Sequence, residues 1–451
     1  MPGRLSRRDF LKAGVGASGA ALIAAGTPLL ASPITSPNRQ SGAKKLIFSS
    51  YSWSGYEEAL NQVIDSWIQT QTDGNVEVER QYAPWDDYWG KLQTQVAAGT
   101  PPDLGIADYS RIVSYAKSGI IRNISDFVLS SDIQLDRMIA ASLEQYRWAE
   151  GDFDTGNPDG DLYGLPTDGQ SMVMFYNKRM FDDAGVGYPT DDWTWDDLLA
   201  AAQAISKPDQ GQYGFNLPIS YTWRGIWVKA AGGSFHTPDY KKSMLNSPET
   251  REAMTWLWDL YYTHQVAPPP SAGGTGTHPF IGRQVAMAVD GVWWISDIAN
   301  GLDEGEWDIC MFPKHPRTGL RTTTVEADGW WIFKDAKEPE LAWSLMQYMV
   351  SEAGQRQFDQ LGYLVPGVLS DVSAEWYGRT PPENRHKILD NILQDSVKVD
   401  ITHYEVSAIQ SVVDPIIQGA FADGTDIGQA LEQAEIVMNS ELDRAWESFN
   451  R

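Results

Sequence analysis

The stretch that decides the fold opens with Lys45-Leu46-Ile47-Phe48-Ser49-Ser50-Tyr51, passes through Val76-Glu77-Val78-Glu79-Arg80-Gln81-Tyr82 and ends with Asp103-Leu104-Gly105-Ile106-Ala107. The first and last runs read as strands, the last of a buried type, and the middle one alternates as a half-buried strand does. Between them, 55–71 puts Leu60, Val63, Ile64 and Trp67 on one helical face. Residues 86–98 do the same with Tyr88, Leu92 and Val96, before Gly99 and the Pro101-Pro102 stop. Strand, helix, strand, helix, strand at this spacing predicts a parallel sheet and an α/β fold. A further helix is expected over 112–118.

A second α/β pattern starts after Leu165-Pro166-Thr167-Asp168, with a strand over 172–176 and helical segments over 178–184 and 195–205. Thr194 followed by Asp197 makes an acidic variant of the capping box. Pro248 at the first helical position opens a helix over 249–262, closed by Pro268-Pro269-Pro270 and a Ser/Gly/Thr-rich loop. Residues 338–358 read as one helix. The last helix, 426–447, carries Leu431, Ala434, Ile436, Val437, Leu442 and Trp446 as packing positions.

At the N-terminus, Ser6-Arg7-Arg8-Asp9-Phe10-Leu11-Lys12 precedes an uncharged run over 13–31 interrupted by Gly14, Gly16 and Gly19. That run is too short and glycine-rich for a committed span, and the segment resembles a twin-arginine signal peptide cleaved near Ala31. Residues 1–36 are therefore expected to be leader and processing region, and the body an exported periplasmic protein. Cys310 is the only cysteine, so no internal disulfide and no lipid-anchoring cysteine is expected. Losing four basic and one acidic side chain with the leader takes the net charge from -25 to about -28, which argues against nucleic acid and anionic membrane as partners.

The chain has 19 Trp and 19 Tyr against 6 His, and many of the tryptophans stand near glycine, proline or aspartate at expected element ends. Rings placed there suit ligands with an apolar C–H face and a rim of hydroxyls. The six histidines are dispersed without ligand spacing, so neither a metal site nor a cofactor is expected.

The run Trp85-Asp86-Asp87-Tyr88-Trp89-Gly90-Lys91-Leu92-Gln93-Thr94-Gln95-Val96-Ala97-Ala98-Gly99-Thr100-Pro101-Pro102-Asp103 resembles a helix and strand entry of the carbohydrate-binding solute receptors of ABC importers, the maltose-binding-like family. Four later stretches resemble the same family in the expected order. They are Leu165-Pro166-Thr167-Asp168 with Phe175-Tyr176-Asn177-Lys178; 282–293, ending Gly291-Val292-Trp293; Asp328-Gly329-Trp330-Trp331-Ile332-Phe333; and 339–349. The resemblance implies a two-lobed periplasmic binding protein fold of type II, each lobe a sheet flanked by helices. One lobe would be built from 44–168 and 326–365, the other from 169–325 and 366–451. It also implies a monomer that traps a mono- or oligosaccharide by hinge closure and delivers it to an ABC permease with its ATPases.

Ring candidates for the cleft are Tyr51, Trp53 and Trp85 in the first lobe, with Trp89 either packed inward or facing ligand. In the second lobe they are Trp223 and Trp293; of Trp330 and Trp331, Trp330 is the expected cleft residue. Polar candidates are Asp86, Asp108, Asp168, Arg224 and Glu326, with Asp290 and Asp328 beside them. Paired carboxylates orient vicinal hydroxyls, whereas a lone one is usually a cap; Asp86 can be either. Arg224 can stack, pair with an acid or bind a carboxylate-bearing ligand. Two other readings stay open: a receptor for a polyamine, peptide or other non-sugar solute, and a secreted glycoside hydrolase or lyase. No nucleophile or metalloprotease motif supports an enzyme.

Overall fold

The computed structural model describes residues 43–52, 55–72, 74–270, 277–396 and 402–451, leaving aside the side chains of Asp86, Thr277 and His278. The expected leader and Trp53 lie outside the described residues. Twelve strands occur among those described. In chain order they are β1 (Lys44–Tyr51), β2 (Val76–Ala83), β3 (Leu104–Ala107), β4 (Arg147–Trp148), β5 (Asp161–Leu162), β6 (Leu165–Pro166), β7 (Gln170–Asn177), β8 (Tyr213–Asn216), β9 (Val285–Gly291), β10 (Trp307–Cys310), β11 (Val325–Glu326) and β12 (Gly329–Ile332).

They form two main sheets, so the protein is a two-lobed α/β fold. The first has the order β2-β1-β3-β12-β6, with β1 parallel to β2 and β3, and β12 antiparallel to its neighbours β3 and β6. The second runs β10-β7-β9-β8, with β11 pairing onto β7. The helices Tyr56–Gln71 and Trp85–Ala97 connect β1 to β2 and β2 to β3, as parallel neighbours require.

β7 shows why the second sheet is central. Met172, Met174 and Tyr176 pack into one apolar cluster, while Val173 and Phe175 point to the other face and join the cluster built around the first sheet. A strand buried on both faces reads as a continuous apolar run, and each fully buried side chain of this kind contributes about 1.5–3 kcal/mol.

The expected Thr194/Asp197 capping box is present at the helix Trp195–Ile205, with both reciprocal bonds made. Two expectations are corrected. The expected helix over 338–358 is two, Pro339–Val350 and Glu352–Gln360, because the Ser351 hydroxyl accepts from Gly354 N–H at 3.2 Å and caps the second. In the last helix, Ile427–Phe449, Met438 lies on the buried stripe and Ile436 is 71% exposed, off that stripe. The helix that carries Asp86 begins at Trp85 with Pro84 in the cap position, which leaves the ligand-contact alternative for Asp86.

Candidate functional site

Segments from both main sheets lie side by side between them. The stretch joining β6 to β7 runs antiparallel to that joining β11 to β12: Thr167 N–H donates to Asp328 O at 2.9 Å, Glu326 lies opposite Gln170, and Gly329 opposite Pro166. A third segment touches them where Gly169 N–H donates to Val365 O at 3.3 Å. Glycine is needed at 169, since a Cβ there would lie 2.6 Å from Ile139 Cδ1 and 3.0 Å from Pro366 O.

These segments carry three carboxyl groups. Asp168 Oδ1 accepts from Asp328 N–H at 2.8 Å, and the Gln170 amide bridges Asp168 Oδ2 at 2.5 Å and Asp328 Oδ2 at 3.4 Å. The Tyr51 hydroxyl donates to Asp328, and Tyr109 hydrogen-bonds Glu326. Glu326 Oε1 is buried with no hydrogen-bond partner among the described residues. All three acids remain half-buried.

Their electrostatics follow from that placement. Burial, reinforced by the Asp328 charge, holds Asp168 well above the ordinary carboxyl range. Burial pushes Glu326 up to about 8, with the Tyr109 hydrogen bond opposing and the charges of Asp328, Asp108 and Asp290 adding. Asp328 rises to about 7 through burial and the Asp108 charge, moderated by the bonds from Tyr51 and Gln170. The hydroxyls of Tyr51, Tyr56 and Tyr109 are raised far by burial and stay neutral donors.

Aromatic residues reach the carboxyls through the hydroxyls of Tyr51 and Tyr109. Tyr51 ends β1 and packs edge-on against Trp85 at 4.6 Å, with Trp89 at 6.2 Å. Trp85 is 47% exposed on the first turn of its helix, whereas Trp89 is buried beneath the Arg111 guanidinium at 4.2 Å. Beside the second sheet, Trp223 on the helix Tyr221–Ala230 and Trp293 in the turn after β9 meet edge-to-face at 6.4 Å, and the Trp293 ring covers Gly291, where a Cβ would sit 2.1 Å from it. Tyr109 packs against the same apolar cluster as this pair.

Not every sequence candidate joins this group. Trp330 is 1% exposed and packs on Phe48 at 5.3 Å in the core of the first sheet, so the expectation that it faces the cleft is corrected. Neighbouring Trp331 packs on Tyr115 at 5.1 Å and is buried as well: a strand enclosed on both faces has no outward side to offer. Arg224 is fully buried and held by Asp414, which realises the acid-pairing alternative and takes it away from ligand. Asp108 Oδ1 accepts from Ser110 N–H at 2.8 Å and Ser110 Oγ at 2.6 Å, capping the turn Tyr109–Arg111. Sequence reasoning missed Tyr56, Tyr109 and Gln170; the available signal was their closeness to Trp53, Asp108 and Asp168.

Two cavities lie apart from the rings. One of about 560 Å³ is lined by Gln71, Arg137, Gln347 and Gln355 among others, and one of about 300 Å³ by Ile139, Gln145, Val325 and Leu393 among others. Among the described residues no group of three His, Cys, Asp or Glu side chains is placed to hold a metal ion, and no helix is long and apolar enough to cross a membrane.

Comparison with known proteins agrees with this architecture. Residues 68–381 match the model of the bacterial extracellular solute-binding protein family. The arabinooligosaccharide-binding protein of Halalkalibacterium halodurans is 23% identical over 337 residues, covering 72% of each chain. An ABC substrate-binding protein from Listeria monocytogenes, solved in complex with cycloalternan, superposes with a TM-score of 0.79 at 24% identity over 89% of this chain and 99% of that one. The maltose/maltodextrin-binding domain from Bdellovibrio bacteriovorus, bound to maltotriose, gives 0.70 at 18% identity over 88% and 100%. With most of its length matched, the chain belongs to the bacterial extracellular solute-binding protein family.

Proposed function

We propose that this protein binds a sugar or oligosaccharide between its two lobes and delivers it to the permease of an ABC importer. One observation carries the reading: Tyr51, whose ring packs on the exposed Trp85, donates to Asp328 within a group of carboxyl and amide side chains on the strands that join the two sheets, and a second ring pair, Trp223/Trp293, stands beside the other sheet. Indole faces supply flat apolar contact for the C–H side of a pyranose, and Asp168, Glu326, Asp328 and Gln170 supply directional acceptors and donors for its hydroxyls. Strands passing between lobes are natural hinges, so a solute bridging both ring pairs favours the closed form. The saccharides held by the relatives named above support the same ligand class.

Within this reading the lobes are 44–168 with 326–365 and 169–325 with 366–451. Trp53 and Asp86, close in sequence to Tyr51 and Trp85, are further candidate contacts. The protein acts as a periplasmic monomer, exported by the twin-arginine route on the strength of Arg7-Arg8. Thermal shift against a panel of mono- and oligosaccharides tests it, because ligand at about a hundredfold over Kd stabilises the folded state by about 2.7 kcal/mol. A saturable shift with one sugar class and no product is expected. Silence from every saccharide overturns the assignment.

A further inference from the structure

The helices Pro339–Val350 and Glu352–Gln360, separated at Ser351, both line the cavity of about 560 Å³, a volume within the range of small-molecule sites. The first contributes Gln347 and the second Gln355, while Met138 and Val368, bridged to each other, add apolar wall. Gln355 is fully buried, and neither its amide oxygen nor its amide nitrogen has a hydrogen-bond partner among the described residues. The other buried carboxamides are employed. Asn177 accepts from the Met180 N–H at 3.0 Å and donates to Glu306 at 3.2 Å, and Asn391 donates to Met172 O at 3.2 Å. An unpaired buried carboxamide costs free energy unless something beside it completes its bonds. One water, whose share of liquid volume is about 30 Å³, leaves most of this cavity unfilled.

We propose that this cavity is a second ligand site, separate from the cleft, for a small uncharged polyhydroxylated molecule, and that the Gln355 carboxamide recognises it. The site stands whatever the cleft holds. A carboxamide with both ends open needs a partner that donates and accepts: a hydroxyl does both, whereas a carboxylate only accepts and an ammonium only donates. Gln71, Gln134 and Gln347 place further carboxamides in the same wall, so one occupant meets several such groups only if its own donor–acceptor groups are spread around its rim. The charged side chains of the wall, Asp132, Arg137 and Glu352, are exposed and of both signs, and select no net charge. Met138, Val350 and Val368 offer apolar contact to the C–H groups between the hydroxyls.

Methionine-methyl NMR tests the site where it lies, with the Met138 methyl, assigned through Met138→Leu, reporting on the cavity and the Trp85 indole N–H on the cleft. The probes are glucose, trehalose and sorbitol, against glucuronate and glucosamine as charged counterparts and N-acetylglycinamide as an amide without hydroxyls. The expected result is a saturable Met138 shift with at least one neutral polyol, at a Kd of about 1 mM or tighter and a midpoint different from that of any Trp85 response. Gln355→Leu should weaken that binding at least about tenfold, leave the Trp85 response unaltered, and keep or raise the unliganded thermal midpoint, since it removes an unpaired amide. The titrations of the unaltered protein need no variant at position 355 to fold. A fall in the Gln355→Leu midpoint would mean that the amide serves folding, and overturns the recognition role. A Met138 shift that always shares the Trp85 midpoint reports events in the cleft and overturns the site, as does silence at Met138 with every polyol, which leaves water as the occupant. Tighter binding of glucuronate, glucosamine or N-acetylglycinamide than of the polyols overturns the ligand class. The sugar-receptor reading of the cleft survives each of these outcomes, because the Trp85 signal tests it separately.

Discussion

Glu306 and Glu326 are both glutamates set into the second sheet, and their environments drive them in opposite directions. Burial alone would raise Glu306, but two bonds from Arg283 at 2.6 and 2.7 Å, the Asp303 N–H at 3.1 Å and the Asn177 amide at 3.2 Å bring it below the ordinary range. Glu326 has Tyr109 and three neighbouring acids, and rises to about 8. The first glutamate is finished by the protein, which is what a structural role requires. The second is left incomplete, which costs stability and persists where a ligand completes it.

The comparison can be broken most forcefully at a finished pair. Arg224→Met should strand Asp414 and cost about 3 kcal/mol in urea unfolding. A loss below about 1 kcal/mol would mean that pairing is not what separates the two kinds of acid. At the unfinished site, Trp85→Ala should weaken solute binding by about tenfold, or 1.4 kcal/mol, with little change in thermal midpoint, since the ring is 47% exposed. Titration calorimetry on the variant reads the first effect and thermal unfolding without ligand the second.

The pH dependence sharpens the contrast further. Because the folded-state value of Glu326 lies above its ordinary 4.5, its support for folding is complete below that pH and is lost as pH rises through about 8. Unliganded protein should therefore lose stability across this window, and Glu326→Gln should flatten the loss by about 1 kcal/mol, measured as urea midpoints from pH 5 to 9. The smallest effect belongs to an exposed, finished acid. Asp197 is held low by the Thr194 N–H and hydroxyl, so Thr194→Ala should raise it toward the ordinary range and cost about 0.5–1 kcal/mol. Carbon-13 titration of the Asp197 carboxyl and chemical unfolding check the two parts.

Much of the architecture was legible because its causes are local. The period of Leu60, Val63, Ile64 and Trp67 required a helix, and Thr194 with Asp197 required a capped start; both are present. The break at Ser351 was hidden because the apolar pattern continues across it, and only the serine's bond to Gly354 marks the stop. At the site, Asp168 and Glu326 were readable as acids close to changes of element. Their meeting with Tyr109 and Gln170 was not, because it depends on segments far apart in the chain lying side by side.

The sequence by itself determined the first strands and helices, several later helices, the family resemblance and the supply of rings and acids, since periodicity, capping and motif order are properties of neighbouring residues. Only the tertiary structure decided which member of that supply is spent internally: Trp330 on Phe48, Arg224 on Asp414, Asp108 on its own turn. The physical reason is that a side chain's role is set by the desolvation and the partners it meets in space, and those partners come from distant parts of the chain.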